Sequence, residues 1–314
     1  MRRYITKRLL WLIFVLIGTA VLIFTIMYLM PTDAADVVLG DTVSEIEKNE
    51  YRALLGLDQP YLIQLGRYLR DTFLHFDFGT SWTYRVPVVQ ELFNRLPRTI
   101  TLNIIAIAMS AVIGIPIGII CALNRNSWAD NVLMVVAMMG ISIPSFWLAL
   151  MMVLLFSMKL GWLPAFGIDS WKCWIMPAIA CALPSINANA RQTRSTMLET
   201  IRADFITTAR AKGVNENKII IRHMLPNAMI PIINELGSQF ASGIAGTVVI
   251  ESVFSFPGVG AYLMTGISTR DFPVVRSCIL ILAFFAAIVQ LVVDLIYAYV
   301  DPRIKAQYAN GGKK

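Results

Sequence analysis

The sequence predicts an all-α, polytopic membrane protein with six transmembrane helices, and three observations carry that reading. Hydrophobic residues make up 57% of the 314 positions and charged residues only 15%, where a soluble domain holds about a quarter charged residues. The mean hydropathy is +0.64. Apolar runs close to the ~20 residues that cross a bilayer recur along the whole chain.

The first run, LLWLIFVLIGTAVLIFTIMYLM at 9–30, follows a basic N-terminus, 1–8, with Arg2, Arg3, Lys7 and Arg8. A signal peptide opens the same way, but its apolar region is only about 7–15 residues. This run is longer, and Asp33–Ala35 is only a weak small-residue cleavage site, so it reads as a retained transmembrane helix. The remaining spans read as 99–123, 131–158, 174–190, 228–250 and 278–300. Six spans put both termini on one side of the membrane.

Charge sets the side. With the N-terminus in the cytoplasm, inside segments hold sixteen of the 27 Lys/Arg and five of the 20 Asp/Glu. Outside segments hold eleven and thirteen, and Glu235 and Asp294 fall within spans. Short cytoplasmic loops are enriched in Lys/Arg, so the N-terminus and the tail at 301–314 are both placed in the cytoplasm. The net charge of +7 is thereby explained by membrane orientation, and nucleic acid is not an expected partner.

The longest extramembrane part is the outer loop at 31–97. TVSEIEKNEYRALLGL and YLIQLGRYLRDTFLHF both have helical spacing, with DQP between them, and predict short helices on the outer surface. They serve either as a packing cap or as a docking surface. A five-helix core, 98–300, follows and includes a cytoplasmic loop at 191–227. No soluble domain, low-complexity segment or internal repeat is evident. Cys121, Cys173, Cys181 and Cys278 are scattered, without a CxxC pair, and read as small core residues. His75 and His223 are too few for a histidine-rich metal site. No catalytic, cofactor-binding or metal-ligating residue is assigned.

The cytoplasmic loop carries the most information. In RADFITTARAKGVNENKIIIRHMLPNAMIP, 202–231, Phe205, Ile206 and Ala209 fall at helical spacing among Arg202, Asp204, Arg210 and Lys212. Gly213 follows the basic end, where glycine closes a helix and cations suit its dipole. NENKIIIRHM predicts a further helical turn. The segment reads as two short helices with a glycine corner. It either lies on anionic lipid or plugs into a cytoplasmic partner; mixed charge and a thin apolar face favour the partner.

These residues carry a resemblance. TTARAKGVNENKIIIRHMLPN, 207–227, resembles the EAA loop of permease subunits in binding-protein-dependent ABC importers: E-A-A, three residues, Gly, nine residues, then I-x-L-P. Ala209, Gly213, Leu225 and Pro226 match at that spacing. Thr207 and Thr208 stand where Glu and the first Ala are usual, and His223 where Ile is usual. TARAKG is similar to the dipeptide, oligopeptide and nickel branch. So are LGLDQP (55–60), FDFGTS (76–81), RLPRTITL (95–102), GWLPAFG (161–167), IESVFSFPGVG (250–260), RDFPV (270–274) and VDLIYAYVDPRI (293–304). After the first span this chain has PTDA where the family often has P-G-D-P.

The resemblance implies a type I importer permease bundle in the inner membrane of a prokaryote. It implies that Thr207, Thr208, Ala209, Arg210, Ala211, Lys212, Gly213 and Val214 form a coupling helix that docks on a cytoplasmic ATPase. The chain lacks GxxxxGK[ST], the loop that cradles phosphates. It is therefore expected not to be an enzyme, with ATP and Mg held by partner subunits. The implied assembly has a second, homologous permease, two ABC ATPase domains and an extracytoplasmic solute-binding protein, within membrane lipid. The expected cargo is a di- or oligopeptide, with nickel or a metal chelate as the alternative.

Other features keep two readings. GIPIG, 114–118, is either a close-packing site or a hinge, and SIPSF, 142–146, predicts a kinked third span. FPGVG, 256–260, is a tight loop or a gate, with Phe256, Pro257 and Gly258 as candidates. Glu235 and Gln239, and more weakly Asn187 and Asn189, are candidates for the pathway. Glu235 is alternatively a contact with a neighbouring subunit. Asp294 reads as a structural ion pair or hydrogen bond, with Arg303 as the partner. An ion-coupled secondary transporter needs carboxylates at broken helices, and Glu235 with Asp294 is too little. A membrane-embedded enzyme needs a cluster of catalytic side chains, which the spans do not contain.

Overall fold

A hydrocarbon environment offers no partner to an open backbone, so apolar segments that cross it wind into helices. A computed structural model describes residues 2–30, 34–40 and 43–300. In order, the helices are α1 (Arg2–Leu29), α2 (Ala34–Leu39), α3 (Glu45–Leu55), α4 (Tyr61–Leu74), α5 (Val88–Leu123), α6 (Trp128–Ser142) and α7 (Ser145–Met152). They continue as α8 (Lys172–Ile201), α9 (Asp204–Ala211), α10 (Glu216–Ile219), α11 (Leu225–Gly246), α12 (Val248–Val253), α13 (Val259–Ser268) and α14 (Phe272–Val300). Val153–Lys159 extends α7 as π-helix, and Ile220–Met224 does so between α10 and α11.

Among the described residues, 6–29, 88–123 and 272–296 are long and apolar enough to cross a membrane. The bent pair 128–140 and 145–159 adds a fourth if it forms one span. Length and apolarity alone therefore do not give six. The two remaining expected spans fall on α8 and α11, whose middles carry Asn187 and Asn189, and Asn234, Glu235 and Gln239. These polar groups lower the hydropathy of both helices, and several of them bond to one another.

The boundaries also move. α5 begins at Val88, inside the stretch read as outer loop, and stays helical through Pro97 and Pro116. The third span breaks at Ile143 and Pro144, ahead of α7, because proline has no N–H to continue the ladder. The fifth span ends at Gly246, and α12 is a separate short helix.

α5 lies along α8, α8 against α11, and α11 against α14, while α1 and α13 pack on α14. The glycines of GIPIG sit where α5 meets α8. A Cβ on Gly114 would lie 2.6 Å from the Ile186 carbonyl oxygen, and one on Gly118 would lie 2.5 Å from that of Ala190. The two backbones thus approach as small-residue packing requires. Gly118→Leu is expected to lower stability by about 1–3 kcal/mol through overpacking, read as a lower thermal midpoint in detergent. An unchanged midpoint would contradict this packing.

The segment between α1 and α5 is tied to the bundle's flank. α3 starts where the Ser44 side chain accepts the Glu47 N–H and ends at Gly56. α4 does not stand clear on the surface: Leu65, Tyr68, Leu69 and Phe73 pack against Leu12, Leu16, Ala20 and Phe24 of α1 and Leu280 of α14. Buried Asp271, ahead of α14, accepts from Ser81 Oγ at 2.6 Å and the Thr83 N–H at 3.0 Å. Ser277 Oγ donates to the Phe78 carbonyl at 3.1 Å. At the other end of α14, Asp294 pairs with Arg8 of α1 at 2.7 Å and accepts from Gln290 at 3.2 Å. The partner is thus Arg8; Arg303 and the rest of 301–314 lie outside the described residues.

Candidate functional site

The α9–α10 segment is built around one backbone position. α9 closes through Gly213, whose N–H donates to the Arg210 carbonyl at 2.9 Å, followed by Val214 N–H to the Ala209 carbonyl at 3.2 Å. Gly213 has a φ of 74°, in the left-handed region that glycine enters without a Cβ penalty. Asn215 then caps α10, its side chain accepting the Asn217 N–H at 3.0 Å.

Across the corner, Arg210 grips Glu216 through two bonds of 2.5 and 3.1 Å. The hydrogen bond from Arg210 holds the Glu216 carboxyl below its ordinary value. For a depressed acid, the contribution is present above the ordinary pKa and is lost as pH falls through the lowered one. Both side chains are exposed, so this pair aligns the two helices more than it stabilises them.

The underside of the segment is anchored. Ile206, Ala209, Val214 and Ile219 pack with Ala122 of α5, Met197 of α8, Met224 and Ala228 of α11. Of the eight residues singled out by sequence, Ala209 and Val214 are half-buried in this anchor. Thr207, Thr208, Arg210, Ala211, Lys212 and Gly213 are exposed. The helical winding continues from α10 through Ile220–Met224 into α11. The exposed face is thus packed onto the ends of three long helices, α5, α8 and α11.

A polar chain joins the same three helices deeper in the bundle. Glu235 accepts from Gln239 at 2.9 Å. Gln239 and Asn189 exchange two amide bonds of 3.1 Å each, and Asn189 donates to Ser110 Oγ at 3.1 Å. Buried polar chains of this kind fix helix registry when each member is satisfied. Beside them is a cavity of about 160 Å³ lined in part by Asn103, Ser145, Cys181, Gln239 and Thr247. Glu235, Gln239 and Asn189 thus come together. Asn187 does not join them; it lies against Gly140 of α6.

The third group, Phe256, Pro257 and Gly258, lies between α12 and α13. Phe256 is fully buried, its ring edge-on to Trp174 at 4.7 Å. The Pro257 carbonyl accepts from Arg98 at 3.2 Å. Gly258 and Gly260 back onto Glu251: a Cβ on Gly260 would lie 2.9 Å from its carboxylate and 2.5 Å from Val248 Cα.

Sequence reasoning alone does not single out Glu251 as a site residue. It is fully buried and accepts the Gly260 N–H at 2.7 Å, the Ala261 N–H at 3.1 Å and the Thr247 hydroxyl at 3.1 Å. Val259 N–H donates to Thr99 Oγ1 at 2.9 Å. The open donors at the start of α13 are thus satisfied, with a carboxylate at the positive end of its dipole. The available signal was an acid shortly ahead of a Pro-Gly turn that opens a helix.

This geometry has counterparts. The model for "binding-protein-dependent transport system inner membrane component" matches residues 114–306, and the model for the N-terminal part of such membrane components matches 1–103. The dipeptide transport system permease protein DppB of Alkalihalophilus pseudofirmus is 38% identical over 333 residues, covering 97% of this chain and all of that protein. The glutathione transport system permease protein GsiC of Salmonella paratyphi A is 39% identical over 305 residues, covering 97% and 99%. In structure, the inward-facing MetNI methionine ABC transporter is similar with a TM-score of 0.58 at 19% identity, over 68% of this chain and 97% of that one. That likeness is one of fold. Matched in both its N-terminal part and its bundle, and aligned over nearly its whole length to transport permeases, the chain belongs to the binding-protein-dependent ABC importer permeases of the inner membrane.

Proposed function

We propose that this chain is the membrane-spanning subunit of an ATP-driven importer of di- or oligopeptides. The observation that carries the cargo class is the near full-length similarity to permeases named for dipeptide and glutathione transport. The mechanical part rests on the exposed face of α9, anchored beneath α5, α8 and α11.

In this reading the N-terminus and 191–227 face the cytoplasm. Two ABC ATPase domains there hold ATP and Mg, and one of them receives Thr207, Thr208, Arg210, Ala211, Lys212 and Gly213. Ala209 and Val214 fasten this face to the bundle. Closure of the ATPase pair moves α9 and α10, and the continuous winding into α11 carries the motion to the Glu235–Gln239–Asn189–Ser110 chain. A second, homologous permease supplies the other wall of the pathway, and a solute-binding protein delivers peptide from outside. Phe256, Pro257 and Gly258 serve as the outer closure, held in place by Glu251.

The test is ATP-dependent uptake in cells with and without this chain, using a labelled dipeptide, a longer peptide and radiolabelled nickel. Loss of peptide uptake with the chain is expected. Loss of nickel uptake alone would overturn the cargo class while leaving the importer architecture in place.

A further inference from the structure

The inner face holds a cluster of charge that the coupling role does not use. The turn joining α5 to α6 and the last turns of α8 enclose a cavity of about 450 Å³. Its lining includes Arg125, Asn126, Arg191, Arg194, Glu199 and Arg202. Four guanidinium groups thus converge on it, against one carboxylate.

The wall is built rather than incidental. Arg194 donates from Nε and Nη2 to the two oxygens of Asp130, both at 2.7 Å. The Asp130 side chain is only 1% exposed, and it also accepts the Asn126 N–H at 3.0 Å. This fork spends the charge of Arg194 but fixes its planar head in the wall. Arg125, Arg191 and Arg202 are exposed and form no ion pair among the described residues. Even after Glu199 is counted, the cavity keeps an excess of positive charge.

The turn that carries Arg125 and Asn126 is flanked in sequence by exposed apolar residues. Ile120 and Leu123, at the end of α5, and Trp128, which opens α6, all lie exposed. Trp128 is 81% exposed, and tryptophan in such a position sits at headgroup level in a bilayer. A free anion would use only the arginines. A phospholipid would use the arginines for its phosphate and the neighbouring apolar side chains for its acyl chains.

We propose that this cavity binds the phosphate of an anionic phospholipid in the inner leaflet. Basic pockets between helices on the cytoplasmic side suit such headgroups. Because α8 runs from this cavity straight to α9, a bound lipid would brace the base of the coupling segment. The assignment to the inner leaflet rests on the orientation proposed above. The binding test below needs neither transport nor that orientation, so its failure is distinct from failure of the transport reading.

The experiment is thermal unfolding of the purified full chain in neutral detergent, with phosphatidylglycerol, phosphatidylcholine or inorganic phosphate added. A ligand that binds only the folded state raises the midpoint, by about 5 °C when well above its Kd. Phosphatidylglycerol is expected to do so, and phosphatidylcholine and inorganic phosphate are not. In R125Q/R191Q/R202Q, which alters exposed side chains only, the shift should vanish while the lipid-free midpoint stays. R191Q alone should show a reduced shift and serves if the triple variant misfolds. An equal shift in wild type and variants, no shift at all, or an equal shift with inorganic phosphate would each overturn the proposal. So would loss of ATPase co-purification in the triple variant with its lipid shift intact, since the arginines would then serve a protein contact.

Discussion

Glu251→Ala is expected to destabilise the outer end of the bundle more than any substitution on its surface. The carboxylate is fully buried and accepts three hydrogen bonds, two from the first turn of α13 and one from Thr247 of the turn before α12. Truncation removes the acceptor and leaves those donors buried, at about 1–3 kcal/mol for each unsatisfied group. It also opens a void against Gly258 and Gly260, which are glycine because the carboxylate occupies their Cβ space. The loss should appear as a sharply lowered thermal midpoint and a poor size-exclusion profile in detergent. Glu251→Gln keeps an oxygen for the two N–H groups and offers its amide to the Thr247 hydroxyl, so it should retain most of the stability. Equal stability of the alanine and glutamine variants would contradict this account of the outer junction.

Gly213→Val should act in the opposite way, sparing the fold and impairing coupling. A Cβ at Gly213 meets nothing within 4 Å, so there is no clash to unfold the chain. The cost lies in the backbone: φ is 74°, and an L-residue there costs roughly 1–2 kcal/mol, more for a β-branched side chain. Relaxing that strain turns α10 relative to α9 and spoils the exposed face. One to two kcal/mol corresponds to a factor of about 5–30 in population. ATP-driven uptake should therefore fall by about that factor while the purified chain stays folded, its thermal midpoint lowered by only a few degrees. Gly213→Asn, which tolerates the left-handed region, should recover most of the uptake. Unchanged uptake and ATPase co-purification in the valine variant would contradict the role of the corner.

Much of this was legible in the sequence. The apolar runs located α1, α5 and α14, the helices long and apolar enough to cross a membrane, the proline of SIPSF located the break before α7, and Gly213 located the corner. What periodicity supplies is a face, not its partner. That α4 lies along α1 depends on which stripe meets Leu65, Tyr68 and Leu69, and no local pattern names it. The ties Ser81–Asp271 and Arg8–Asp294 join residues far apart in the chain. The polar chain likewise draws Ser110, Asn189, Gln239 and Glu235 from three helices. Asn189, Gln239 and Glu235 lower the hydropathy of α8 and α11. Glu251 carries little sequence signal of its own because two of its three donors are backbone N–H groups, which leave no mark in the residue types.

The central claim is that an ATPase seats on the exposed face of α9, and site-directed cross-linking tests it most directly. Cys121, Cys173 and Cys278 are buried and Cys181 is half-buried, so a thiol introduced at an exposed position dominates labelling. Thr208→Cys, carrying a short photoactivated cross-linker in the assembled transporter, should capture the ATPase subunit, with a yield that changes on ATP binding. The exposed outer residue Asn49, replaced as Asn49→Cys, should capture none. Capture of the ATPase from Asn49→Cys, or none from Thr208→Cys in a transporter that still imports, would contradict the account.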